Sequence, residues 1–80
     1  MDTRSAVAHR ILELCAQNEI TISRLSTIAA VPPSTLKNIV YGITKNPGIV
    51  TIKKLCDGLG ISLVEFFDAP VFHKLEQEIQ

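Results

Sequence analysis

Two adjacent prolines, Pro32 and Pro33, constrain this 80-residue chain more than any other feature. Pro32 disfavours helical geometry at Val31, whereas Pro33 fits the first turn of a new helix, where no backbone hydrogen bond is lost. The pair therefore separates two short apolar-periodic segments. Before it, Thr21 offers an N-cap to a stripe of Ile22, Leu25, Ile28 and Ala29. After it, a helix over 33–41 is predicted, and Gly42 is suited to the left-handed stop.

The flanking sequence is also helical in pattern. Over 3–18, Val7, Ile11 and Leu14 recur at helical spacing with Ala8, Leu12 and Cys15 beside them, and Asp2 or Thr3 serves as N-cap. Asn46-Pro47-Gly48 marks a loop over 43–48. A fourth helix is predicted over 49–59, with Ile52, Leu55, Cys56 and Leu59 inward and Gly60 at its end. Ser62-Leu63-Val64-Glu65 is a capping-box pattern that opens a short fifth helix through Phe67. Pro70 interrupts it, and Phe72, Leu75 and Ile79 allow one or two further helical turns. No segment alternates as a strand does. The reading is an all-α, compact five-helix domain over 1–69, with a tail over 70–80 that either caps the domain's own core or docks elsewhere.

Composition excludes several classes. Hydrophobic residues make up 46% and charged residues 20%, which is ordinary for a globular domain. No apolar run approaches the ~18–20 residues that a membrane span needs, and the first residues lack the pattern of a signal peptide. A cytoplasmic protein is expected. Cys15, Cys56, His9 and His73 show none of the short ligand spacings of a zinc site, so two small buried thiols and no metal are expected. There is no local nucleophile motif, no acidic pair and no Gly-rich phosphate loop; neither catalysis nor a cofactor is expected.

The net charge is zero, but its distribution is lopsided. Residues 20–56 carry Arg24, Lys37, Lys45, Lys53 and Lys54 without one Asp or Glu, and all eight acidic residues lie outside that stretch. A basic middle with acidic flanks suits a polyanion met on one side.

At about 100° per residue, Leu36, Ile39, Val40 and Ile43 fall on the core side of the third helix, leaving Ser34, Lys37, Asn38 and Tyr41 outward. A polar outer face is the rule for any surface helix. Here it follows a tight turn between two short helices, which is the arrangement that sets a helix in the major groove of DNA. Asn pairs in bidentate fashion with adenine, Ser donates or accepts, and Lys meets guanine or phosphate.

With Thr21, Leu25, Ala29, Val31, Ser34, Leu36, Ile39, Gly42, Asn46-Pro47, Leu55, Leu59-Gly60 and Ser62 in register without insertion, the stretch from Thr21 to Phe67 resembles the Cro and lambda-repressor-like (XRE-type) helix-turn-helix domain. The resemblance implies a DNA-binding transcriptional regulator, repressor-like, from a bacterial or phage setting. It implies base contacts from Pro32, Pro33, Ser34 and Asn38, with Lys37 adjacent. It implies phosphate contacts from Ile22 and Ser23 and from Tyr41, Thr44, Lys45 and Asn46. Five positions depart from the family pattern. Ile22 stands where Gln is usual, Pro32 and Pro33 replace polar base readers, and Val40 replaces a common Glu. Ala30 replaces the turn Gly, which costs about 1 kcal/mol if the site keeps a positive φ.

One short recognition helix reads too few bases to find a genomic site, so a homodimer on double-stranded DNA is expected. Phe66, Phe67, Phe72, Leu75 and Ile79 are the expected dimer contacts. The rival reading is an antitoxin-like or adaptor module in which the same fold holds a protein partner.

Overall fold

The computed structural model describes residues 1–79. Among them the chain forms five α-helices and no strand: α1 (Thr3–Gln17), α2 (Ile22–Ala29), α3 (Pro33–Val40), α4 (Ile49–Leu59) and α5 (Leu63–Phe67), followed by a single 3-10 turn, Pro70–Phe72. Among the described residues no helix is long and apolar enough to cross a membrane.

Local chemistry sets most of the boundaries. Asp2 is the N-cap of α1 and accepts from the Ser5 amide at 2.8 Å; the Ser5 side chain and that amide together lower its carboxyl pKa from the ordinary value. Thr21 caps α2 through the Arg24 amide. Ser62 and Glu65 form a complete capping box on α5. Pro33 occupies the first turn of α3, and Gly60 ends α4 in the left-handed region at φ 72°.

The side chains of Ile11, Leu25, Leu36, Ile39, Leu55, Cys56 and Phe66 are fully enclosed, so every helix contributes to one core. Burial raises the thiol pKa of both Cys15 and Cys56, which keeps them protonated and suits packing more than reactivity. The crossing of α2 and α4 is close: a Cβ on Gly58 would lie 3.0 Å from the Ala29 Cβ. That contact uses Ala29 and turns the neighbouring Ile28 outward, 42% exposed, although the periodicity placed it on the inner stripe. Leu12, at the margin of the α1 stripe, is likewise exposed.

Three further expectations need correction. Ile43 does not join the inner face of α3. Gly42, at φ 80°, turns the chain out of the helix, and Ile43 is 67% exposed. Tyr41 is the C-cap of α3 and lies outside the helix proper. Phe66 is not available to a second chain, because its ring is wholly enclosed within the domain. It stacks edge-to-face on Phe67 at a centroid distance of 4.9 Å, with Phe72 at 6.2 Å. The tail thereby packs on its own domain: Phe72 is half-buried, the Glu76 amide donates to the Met1 carbonyl, and the Thr3 hydroxyl donates to Glu78 at 2.9 Å.

Arg10 is a charged member of the core. It is 8% exposed, and its Nε and Nη2 donate to the Phe66 and Glu65 carbonyls at 2.7 and 2.8 Å, while Nη1 meets Glu13. The last carbonyls of a helix have no intrahelical partner. Arg10 supplies one and so ties α5 to α1.

The turn between α2 and α3 holds a measurable strain. Ala30 sits at φ 55°, ψ 38°, the left-handed C-cap of α2. A Cβ there is disfavoured by about 1–2 kcal/mol, partly offset by the greater freedom of glycine in the unfolded chain. Ala30→Gly is therefore expected to raise stability by about 0.5–1 kcal/mol. A urea melt showing no gain, or a loss, would mean that the methyl group makes compensating contacts.

Candidate nucleic-acid interface

The turn strained at Ala30 leads directly into α3, whose first residues are exposed. Val31 anchors the turn, 4% exposed, and its amide donates to the Ser26 carbonyl at 3.0 Å. Ser26, also buried, donates its hydroxyl to the Ser23 carbonyl at 2.7 Å. With Leu36 and Ile39 enclosed below, the outer face of α3 is fixed. Pro32, Pro33, Ser34 and Lys37 are exposed there, and Asn38 is half-buried beside them. The Asn38 side chain has no hydrogen-bond partner among the described residues, so its amide is free to pair with a ligand. Its backbone carbonyl accepts from both the Ile43 and Thr44 amides, at 2.9 and 3.0 Å, and pins the start of the following loop.

The residues expected to meet phosphate lie in two segments, the start of α2 and the chain that follows α3. In α2, Ser23 is exposed, whereas the Ile22 side chain packs half-buried against the core. Thr21 takes the Arg24 amide, leaving the Ile22 and Ser23 amides without a partner inside the helix, as first-turn amides always are. Ile22 thus lacks the polar side chain of the family pattern and keeps its backbone donor. Beyond α3, Tyr41 is 68% exposed, Lys45 and Asn46 are exposed, and Thr44 is half-buried.

Most of the basic residues of the stretch 20–56 remain unpaired in the fold. Among the described residues, Arg24, Lys37, Lys45 and Lys54 form no salt bridge, so their charges are not neutralised internally. Lys53 pairs with Asp57 one turn along α4, and its contribution is offset. No carboxylate belongs to α2, α3 or the loop after it. Such a surface offers hydrogen-bond donors and positive potential, with an amide and a hydroxyl at helical spacing for base edges.

On α5 an apolar patch remains uncovered. Val64 is 79% exposed and Phe67 36% exposed, and with Leu63 they border a shallow depression. Among the other expected dimer contacts, Ile79 is exposed, and Phe72 and Leu75 are half-buried in the monomer. Val64 was not among the sequence-based candidates. Its place in the capping-box segment drew notice for the cap and not for its outward methyl groups.

The profile of the Cro/C1-type HTH DNA-binding domain matches residues 10–70. Among solved structures, the prophage Lp1 protein 11 is similar, with 38% sequence identity and a TM-score of 0.81 over 94% of this chain and 100% of that one. No curated protein matches the chain.

Proposed function

Because the chain belongs to the Cro/C1-type helix-turn-helix DNA-binding domain family, we propose that it is a sequence-specific transcriptional regulator, repressor-like, that sets α3 in the major groove. The observation that carries this reading is the outer face of α3. Ser34 and Lys37 are exposed, the Asn38 amide is unpaired, and no acidic residue interrupts the surrounding 37-residue stretch from 20 to 56. Asn38 and Ser34 read base edges, with Lys37 reaching a guanine or a phosphate. Pro32 and Pro33 offer apolar contact, suited to a thymine methyl. The backbone is held by the Ile22 and Ser23 amides at one end and by Tyr41, Thr44, Lys45 and Asn46 at the other. With two prolines in place of polar readers, part of the selectivity falls to DNA shape. The similarity to a prophage protein supports a bacterial cytoplasm as the setting, with a bacterial or phage origin.

The protein works as a homodimer in this reading, through the patch of Leu63, Val64 and Phe67, with Ile79 as a further candidate. Selection from a random DNA pool tests both parts at once. A palindrome with half-sites about 34 Å apart, one helical turn, is the expected product. Failure to enrich any sequence removes the regulator reading. Val64→Glu, which places a charge on the exposed patch without touching Phe66, is expected to shift the protein to monomer in sedimentation and to abolish cooperative binding. If Val64→Glu leaves both unchanged, the dimer uses another face. Co-purification of a second polypeptide on that patch, without DNA binding, favours the adaptor reading.

A further inference from the structure

The loop after α3 carries Thr44, Lys45 and Asn46, and almost all of its hydrogen bonds are local. Gly42, Ile43 and Thr44 donate back to Ile39 and Asn38, and Gly48 accepts from Ile52. One hydrogen bond among the described residues ties this segment to a distant element: Arg4 Nη1 donates to the Gly42 carbonyl at 2.8 Å, across 38 positions of sequence. Gly42 is the hinge of the loop, since its φ of 80° turns the chain out of α3.

Arg4 is itself held at the amino end of α1. Its Nη2 lies 3.8 Å from the carboxylate of Asp2, the residue that caps that helix. The adjoining Thr3 donates to Glu78, and Met1 accepts from Glu76, so the tail fastens the same end of α1. Arg4 also lies between two surface clefts, one shared with Lys45 and Asn46 and the other with Val40 and Tyr41.

Resting on the DNA-binding reading, we propose that Arg4 is a positioning residue for the phosphate-contacting loop: it fixes the Gly42 carbonyl and thereby the direction in which Thr44, Lys45 and Asn46 leave α3. Arg4 lies outside the helix-turn-helix, and the family resemblance assigns it no role. A charge-assisted hydrogen bond to a hinge carbonyl limits the loop to one arrangement before DNA arrives. That removes an ordering penalty from binding. The guanidinium is spent on Gly42 and Asp2, so it orients the loop and does not neutralise a phosphate.

The test compares the full-length protein with Arg4→Met, which keeps the length of the stem and loses the donors, and with Arg4→Lys, which restores one. Arg4→Met is expected to weaken binding to specific and scrambled duplexes alike, by about three- to tenfold for the loss of one partly exposed charged hydrogen bond. The salt slope of log K is expected to stay as in the unmodified protein. Arg4→Lys is expected to recover most of the affinity. In the free protein, Arg4→Met is expected to speed amide hydrogen exchange at Ile43 and Thr44 while leaving Leu36 and Ile39 protected. A salt slope reduced by about 1 per protomer would make Arg4 a direct phosphate ligand and overturn the proposal. Unchanged affinity together with unchanged exchange at Ile43 and Thr44 would overturn it as well. Absence of DNA binding by the unmodified protein would remove the DNA reading itself, and the exchange measurement would then decide the role of Arg4 separately.

Discussion

Arg10→Met is expected to lower folding stability by about 2–4 kcal/mol, the range for breaking a largely buried charged hydrogen-bond set. The residue donates to the carbonyls of Glu65 and Phe66 and pairs with Glu13, and only 8% of it is exposed. Met replaces the aliphatic stem but supplies no donor, so the buried Phe66 carbonyl loses its side-chain partner and the Glu65 carbonyl keeps only the Asp68 amide. The Glu13 carboxylate is more than one-third exposed and recovers hydration, which keeps the estimate below that of a fully enclosed ion pair. For an 80-residue domain each kcal/mol moves the melting midpoint by about 4–8 °C, so a fall of at least 8 °C is expected in calorimetry. Arg10→Lys is expected to recover only part of it. One ammonium lacks the planar fork that reaches two carbonyls and a carboxylate at once. A loss under about 1 kcal/mol would show that α5 is held by Phe66 packing alone, and the clamp would be incidental.

Arg10 also shows where sequence reading stops. The helix starts were legible because each is decided within three or four residues: Asp2, Thr21 and Ser62 each accept from an amide three positions on, and Pro33 needs only its own ring. The end of α4 at Gly60 was legible for the same reason. Of the outward set Ser34, Lys37, Asn38 and Tyr41 that followed from periodicity, three are exposed in the fold and Asn38 is half-buried. In contrast, the carbonyl partners of Arg10 lie 55 and 56 positions away, and nothing near it in sequence marks it as buried. The same holds for Arg4 and Gly42. Ile28 and Ile43 misled because periodicity assigns a side to each apolar residue without knowing what covers it. Ala29 is the residue pressed against Gly58, and Gly42 ends the α3 period before Ile43. Phe66 and Phe67 are adjacent and equally apolar, and only the tertiary packing says which of the two is enclosed.

Asn38→Ala and Lys45→Ala are expected to separate base reading from phosphate contact on one surface. Among the described residues the Asn38 side chain has no hydrogen-bond partner, and the role of its backbone carbonyl in holding Ile43 and Thr44 survives truncation. Alanine is also the better helix former, so the variant keeps its fold. Asn38→Ala should weaken binding to the selected site by about 1–3 kcal/mol and relax selectivity at one base position, with little change on scrambled DNA. Lys45 is exposed in the loop and unpaired, and a point charge there attracts any backbone regardless of sequence. Lys45→Ala should therefore weaken every duplex by a similar factor and reduce the magnitude of the salt slope by about 1 per protomer. Salt titrations of each variant on selected and scrambled duplexes measure both effects. Equal weakening of the two duplexes by Asn38→Ala would make Asn38 a backbone contact and would rotate α3 away from the docking described above. A salt slope unmoved by Lys45→Ala would mean that the loop stands clear of the phosphates, leaving α2 to hold the backbone. If neither substitution alters DNA affinity, the exposed face of α3 serves a protein partner.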